Sequence, residues 1–242
     1  MSDDVTGGSR LLAALRRDEF ALILPHLQSL SMPAGAVLHE AGERVEHAYF
    51  PRGPALASFL VLTADGDAVE SALIGREGAV GGIVSQGHLP AFARCCVLQG
   101  GEFYRVPSLA LNELKQKSPH MNHLFARYAD CLIAQLFQTV ACNARHSIEQ
   151  RFAKWLSAAL DRTGGDDIGL TQAQLGSLLG VGRSYVTRIV SRFKADGVIV
   201  TRRGGIRVVD KERLTDTSCE CNRLVAQHFD TVLKGVYPNE ER

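Results

Sequence analysis

No apolar run in the 242 residues approaches the ~20 needed to span a bilayer, and the first ten, MSDDVTGGSR, are acidic and polar where a secretory leader would be basic and then apolar. The chain therefore reads as cytoplasmic, with no membrane partner. Cysteine is scarce: Cys95, Cys96, Cys131, Cys142, Cys219 and Cys221 are far too few for a disulfide scaffold and are expected to be mostly buried thiols. Net charge nearly cancels, 27 Lys+Arg against 26 Asp+Glu, so a nucleic-acid partner must be served by a local patch. Signatures of catalysis are missing too. There is no P-loop, HExxH, GxSxG or coherent carboxylate pair, which argues against an enzyme and predicts no catalytic residue. Glu77 and His88, near a glycine-rich corner, read as solvated loop positions.

What is present is enough apolar sequence, 45%, for two domains. The expected fold class is α+β: an N-terminal β-roll (jelly-roll) domain, a long dimerisation helix and a C-terminal winged helix-turn-helix. Leu11, Leu12, Leu15, Phe20, Leu22, Ile23 and Leu27 in SRLLAALRRDEFALILPHLQSLSM have the spacing of short amphipathic helices, ended by Pro33 and Gly35. From Ala36 to Pro107, short apolar runs broken by glycine predict strands, with a hairpin around ADGD, residues 64–67. From Pro119, Met121, Phe125, Tyr128, Leu132, Leu136 and Val140 step by three or four along one stripe. That stripe predicts a dimer interface, the alternative being a core helix of the same chain. CNARH interrupts the pattern like a hinge, and Ser147 with Gln150 forms a capping box for the next helix. The implied domains are 1–118, 119–145 with the hinge, 146–215, and a helical extension at 216–242 carrying Leu224, Val225, Phe229, Val232 and Leu233.

The most specific stretch is LTQAQLGSLLGVGRSYVTRIVSRFKADGVIV, which predicts a helix Gln172–Leu179, a turn at Gly180-Val181-Gly182 and a second helix Arg183–Ala195. Arg202-Arg203-Gly204-Gly205 then joins two β-branched runs as a basic wing. Between Arg183 and Arg207 stand seven basic residues and one acidic, Asp196, a local charge of +6. This arrangement suits double-stranded DNA: the second helix reads the major groove and the wing meets phosphate. The candidate DNA-binding residues are Arg183, Ser184, Thr187, Arg188, Arg192, Arg202 and Arg203.

Through these motifs residues 10 to 215 resemble the Crp/Fnr superfamily of bacterial transcription regulators. The resemblance implies a cyclic-nucleotide-binding-like sensor domain, a homodimer on a palindromic operator, and RNA polymerase as a further partner. Arg183 and Arg188 fall on the family's base-reading arginines, and Ser184 stands where many members carry glutamate. In the sensor half, Gly81 is in step with a family turn glycine, but Gly82 replaces the ribose-binding glutamate. The nearest basic residue to the family's phosphate-binding pair is Arg94, followed by Cys95 rather than a hydroxyl residue, and its offset could point it to the other strand face. Gly81, Gly82 and Arg94 are thus the candidate ligand residues of a degenerate pocket. No cofactor is certain. The effector is expected not to be cAMP; a cyclic dinucleotide, another ligand or none are the options. An N-terminal iron–sulfur cluster is not expected, because residues 1 to 94 hold no cysteine. Cys219 and Cys221, with His228 beyond them, are a weak metal or thiol-switch candidate; unrelated thiols is the favoured reading, because residues two apart on a helix do not share a face. The competing function is a ligand- or thiol-redox-sensing module whose winged helix makes protein contacts.

Overall fold

The computed structural model describes residues 8–64, 66, 68–83 and 89–233. Two four-stranded antiparallel sheets build the N-terminal half. One runs in the order β1 (Gln28–Met32), β8 (Gly101–Pro107), β3 (His47–Pro51), β6 (Val80–Gly81). The other runs β2 (Val37–His39), β7 (Arg94–Gln99), β4 (Leu56–Leu62), β5 (Ala68–Ile74). Alternate residues of each sheet, among them Tyr49, Ala57, Ile74, Cys95, Val97 and Phe103, fill the space between them. The β4–β5 hairpin is present, and Gly66 takes φ +88° in its turn, while Asp65 and Asp67 lie outside the described residues. His88 also lies outside them.

Helices Arg10–Ala13 and Arg17–Ile23 form as their spacing predicts, but the helical reading runs too far. Gln28–Met32 is a strand, paired with Gly101–Arg105, and sends Leu30 and Met32 into the interior. A five-residue segment with alternating apolar positions fits either period, and the open edge of β8 decides it. A helix at Ser108–Lys117, for which the sequence offered no expectation, leads into the long helix Pro119–Arg145. CNAR remains helical, so the break falls at His146, where Ser147 and Gln150 exchange the capping-box hydrogen bonds that start helix Ile148–Thr163. Gly164, at φ +71°, ends that helix.

The long helix uses its apolar residues in two ways, which corrects the interface expected from its stripe. Met121, Phe125 and Tyr128 are completely buried within their own chain, among Leu11, Phe50, Leu111 and the C-terminal helix Cys221–Leu233. Tyr128 meets Phe229 edge to face at 6.3 Å, so the C-terminal helix is a lid on the long helix. Further along, Ile133, Leu136, Phe137 and Val140 are exposed, Phe137 to 72% and Val140 to 70%. Leu132 is half-buried between the two regions. Periodicity marks a stripe but not which part of it the same chain covers.

Tyr128 also anchors the glycine-rich corner. Its hydroxyl accepts from the Ala79 amide and donates to the Ala79 carbonyl, each at 3.0 Å, and a Cβ at Gly78 would lie 2.1 Å from that oxygen. Replacing Tyr128 with Phe strands both backbone groups in a dry interior. The unfolding free energy in a urea titration should fall by about 1–3 kcal/mol, whereas an unchanged midpoint would show that the corner does not depend on this hydroxyl.

Candidate DNA-binding surface and sensor cavity

The helix-turn-helix follows from local chemistry. Thr171 caps helix Gln172–Leu179 through a reciprocal capping box with Gln174, and Gly180, at φ +65°, closes that helix. Gly182 then caps helix Arg183–Ala195. Leu175, Leu178 and Leu179 pack against Val186, Ile189, Val190 and Phe193, and Phe152 meets Phe193 edge to face at 4.9 Å. This packing turns Arg183, Ser184, Thr187, Arg188 and Arg192 to solvent. The Arg188 guanidinium stacks 4.3 Å over the Tyr185 ring, and the Thr187 hydroxyl lies 3.0 Å from both Gln172 Oε1 and the Arg183 carbonyl. Arg192 is 3.8 Å from Asp196.

The wing is a three-stranded sheet, β10 (Ile199–Arg202), β11 (Gly205–Val208) and β9 (Asp167–Ile168). Its third strand reduces the local charge that a count over residues 183–207 gives. Asp167 accepts from Arg207 Nε at 2.7 Å and lies 3.7 Å from Arg202, and the hydrogen bond from Arg207 holds its carboxyl below the usual range. Arg203, exposed at the tip, has no ion pair among the described residues.

The N-terminal half carries an open-sided cavity of ≈ 430 Å³, whose described lining includes Gly81 and Gly82 together with His39, Phe59, Leu132 and Leu136. Its described lining contains no arginine or lysine. Arg94 is not part of it, which corrects its assignment as a ligand residue: it points to the other face of β7 from buried Cys95 and donates to Glu40 at 2.7 Å. A Cβ at Gly82 would come within 2.9 Å of the Ser108 hydroxyl, which is itself bound to the Val45 carbonyl. The position thus excludes the family's glutamate unless Ser108 moves. Buried His39 leaves Nδ1 without a partner, and desolvation lowers its pKa below the ordinary 6.5.

Residues 150–217 match the model of the Crp-like helix-turn-helix domain. The chain carries a Crp-like helix-turn-helix domain. A search of curated proteins finds no match. Among solved structures, FixK2 from Bradyrhizobium japonicum superposes with TM-score 0.67 at 15% identity, covering 80% of this chain and 98% of its own. CLP of Xanthomonas campestris, described as a c-di-GMP responsive global regulator, gives 0.63 at 14%, covering 81% and 100%. A mutant of CooA from Carboxydothermus hydrogenoformans gives 0.61 at 12%, covering 88% and 96%. The fold is therefore the one these proteins share. No helix among the described residues is long and apolar enough to cross a membrane.

The Crp-like domain docks on the N-terminal half through buried and half-buried polar groups that the sequence did not reveal. Trp155 Nε1 and the Ser58 hydroxyl donate to the two oxygens of Glu70, at 2.7 and 2.8 Å. Buried Arg162 donates to the Leu73 carbonyl and to Gln135 of the long helix, and pairs with Glu77 at 3.0 Å. Glu77 is thus an ion-pair partner rather than a solvated loop residue; only the fold brings Arg162 to it.

The cysteines need a second correction. Cys219 precedes the helix that begins at Cys221, so the rule for residues two apart on a helix does not apply, and both thiols turn to the end of the long helix. Cys219 Sγ lies 3.6 Å from Cys142 Sγ, and Cys221 Sγ lies 3.5 Å from His146 Nδ1. His228 instead faces Asp130 at 3.6 Å. Burial pushes the Cys142 thiol up to about 12 and raises that of Cys219.

Desolvation raises the Glu70 carboxyl above its ordinary 4.5, against the pull of its two hydrogen bonds. A carboxyl with a higher pKa in the folded than in the unfolded chain stabilises most while protonated; its contribution is full below 4.5 and fades as pH rises through the raised value. Glu70→Gln removes the titration and keeps both positions hydrogen-bonded. The variant should gain stability relative to the parent as pH rises from about 4 to 7. Parallel pH profiles in urea titrations would contradict this.

Proposed function

We propose that the chain is a sequence-specific transcription regulator that binds a palindromic operator as a homodimer and whose sensor cavity answers to something other than cAMP. The observation that carries this reading is the exposed face of the Arg183–Ala195 helix, where Arg183, Ser184, Thr187 and Arg188 stand clear of the core within a matched Crp-like domain. Side chains at the start of such a helix reach base edges, and arginine pairs with guanine O6 and N7. Residues 119–145 then serve as the dimer element through Leu132, Leu136 and Val140, joined by Ile133 and Phe137. Residues 146–215 bind DNA, with Arg192, Arg202 and Arg203 on phosphate. Residues 1–118 form the sensor, and 216–242 the extension.

Cyclic nucleotides carry phosphate, and a cavity whose described lining includes no arginine or lysine offers it little compensation. A largely apolar ligand that hydrogen-bonds His39 fits the described lining better.

Binding to DNA duplexes, followed by anisotropy across a salt series, tests the reading. Arg183→Ala should lose about 1–3 kcal/mol at one base pair and relax specificity there. Arg203→Ala should weaken all sequences evenly and lower the salt slope by about 1. Equal affinity of the Arg183 variant for matched and mismatched sites, with no loss against the parent, would refute the docking. A thermal stabilisation by cAMP would refute the sensor assignment.

A further inference from the structure

Cys142, His146, Cys219 and Cys221 place four ligand atoms within 4.8 Å of one another, far apart in sequence yet joined at one point. Cys142 and His146 stand one helical turn apart at the end of the long helix, and Cys219 and Cys221 flank the start of the C-terminal helix. A tetrahedral zinc ion with Zn–S of ~2.3 Å and Zn–N of ~2.0 Å holds its ligands ~3.8 Å apart for two sulfurs and ~3.5 Å apart for sulfur and nitrogen. The observed 3.6 Å between Cys142 and Cys219, and 3.5 Å between Cys221 and His146, are close to those edges. A polynuclear iron–sulfur cluster needs its cysteines spread around several metal atoms; these atoms surround a single point.

The surroundings complete the arrangement. His146 turns Nδ1 to the thiols and Nε2 toward Glu220, 3.8 Å from a carboxylate oxygen, the support that orients a metal-binding imidazole. Gln138 Nε2 lies 3.1 Å from Cys221 Sγ and can donate to a thiolate there. All three cysteines are buried. Three thiolates and a neutral imidazole are soft, tetrahedral donors of the kind that select zinc over calcium or magnesium.

We propose that Cys142, His146, Cys219 and Cys221 form a structural Cys3His zinc site that ties together the two points where the chain enters and leaves the Crp-like domain. Binding displaces three thiol protons to solvent and fills all four positions, so the ion is closed to substrate. The ligands lie immediately outside the matched residues 150–217, so the ion sets how that domain is tethered to the long helix. The site is independent of which DNA sequence or effector the protein recognises.

Elemental analysis of the full-length protein, reduced, loaded with zinc and passed through gel filtration, tests the proposal. One zinc per chain is expected, and cobalt in its place should show the visible bands of a tetrahedral thiolate site. Cys219→Ser and Cys142→Ser should lose the stoichiometric metal, while Cys96→Ser, outside the cluster, should keep it. A chelator should lower the melting temperature of the parent by several degrees and leave the Cys219 variant unmoved. Reduced parent protein that retains no zinc, or a Cys219 variant that retains a full equivalent, overturns the proposal. Recovery of the parent as a Cys142–Cys219 disulfide that resists zinc loading after reduction overturns it as well.

Discussion

The long helix has more apolar face than one chain can cover, and the rest of the architecture answers to that constraint. Its first half is saturated: Tyr128 binds the Ala79 backbone, Phe125 packs on Phe50, and the C-terminal helix closes over Tyr128 through Phe229. Its second half leaves Ile133, Leu136, Phe137 and Val140 in water. Burying a large apolar side chain is worth about 1.5–3 kcal/mol, so a contiguous exposed row is a strong incentive to associate. Leu132 and Leu136 line the N-terminal cavity as well, so a ligand there would touch the same helix that carries the row.

A second set of contacts joins the Crp-like domain to this frame. Half-buried Glu70 and buried Arg162 have several partners each, and they join strand β5, the long helix and the first helix of the Crp-like domain. Hydrogen bonds of this kind specify one arrangement more sharply than apolar contact does, because a shifted arrangement leaves charges unpaired in a dry interior. Helix Arg183–Ala195 takes no part in these contacts, and Arg183 and Arg188 remain exposed.

Legibility in the sequence followed the range of the interaction. The helix-turn-helix was readable to the residue because its signals are local: a capping box at Thr171, a left-handed glycine at position 180, and apolar spacing on both helices. The hairpin at β4 and β5 was readable for the same reason. Gln28–Met32 was not, because its period became that of a strand only against β8. The partners of Glu77, Glu70 and Cys219 lie far along the chain, and no spacing rule connects them. Arg94 sits between these cases: its register raised the prospect that it faced away from the pocket, but Glu40 as its partner needed the fold.

Association through the exposed half of the long helix is the claim on which the DNA-binding reading stands. Sedimentation velocity of the parent and of Phe137→Glu with Val140→Glu, at micromolar concentration, tests it most directly. The account predicts a dimeric parent and a folded, monomeric variant, since both side chains are exposed within one chain. A variant that sediments as the same dimer, or a parent that remains monomeric, would contradict it.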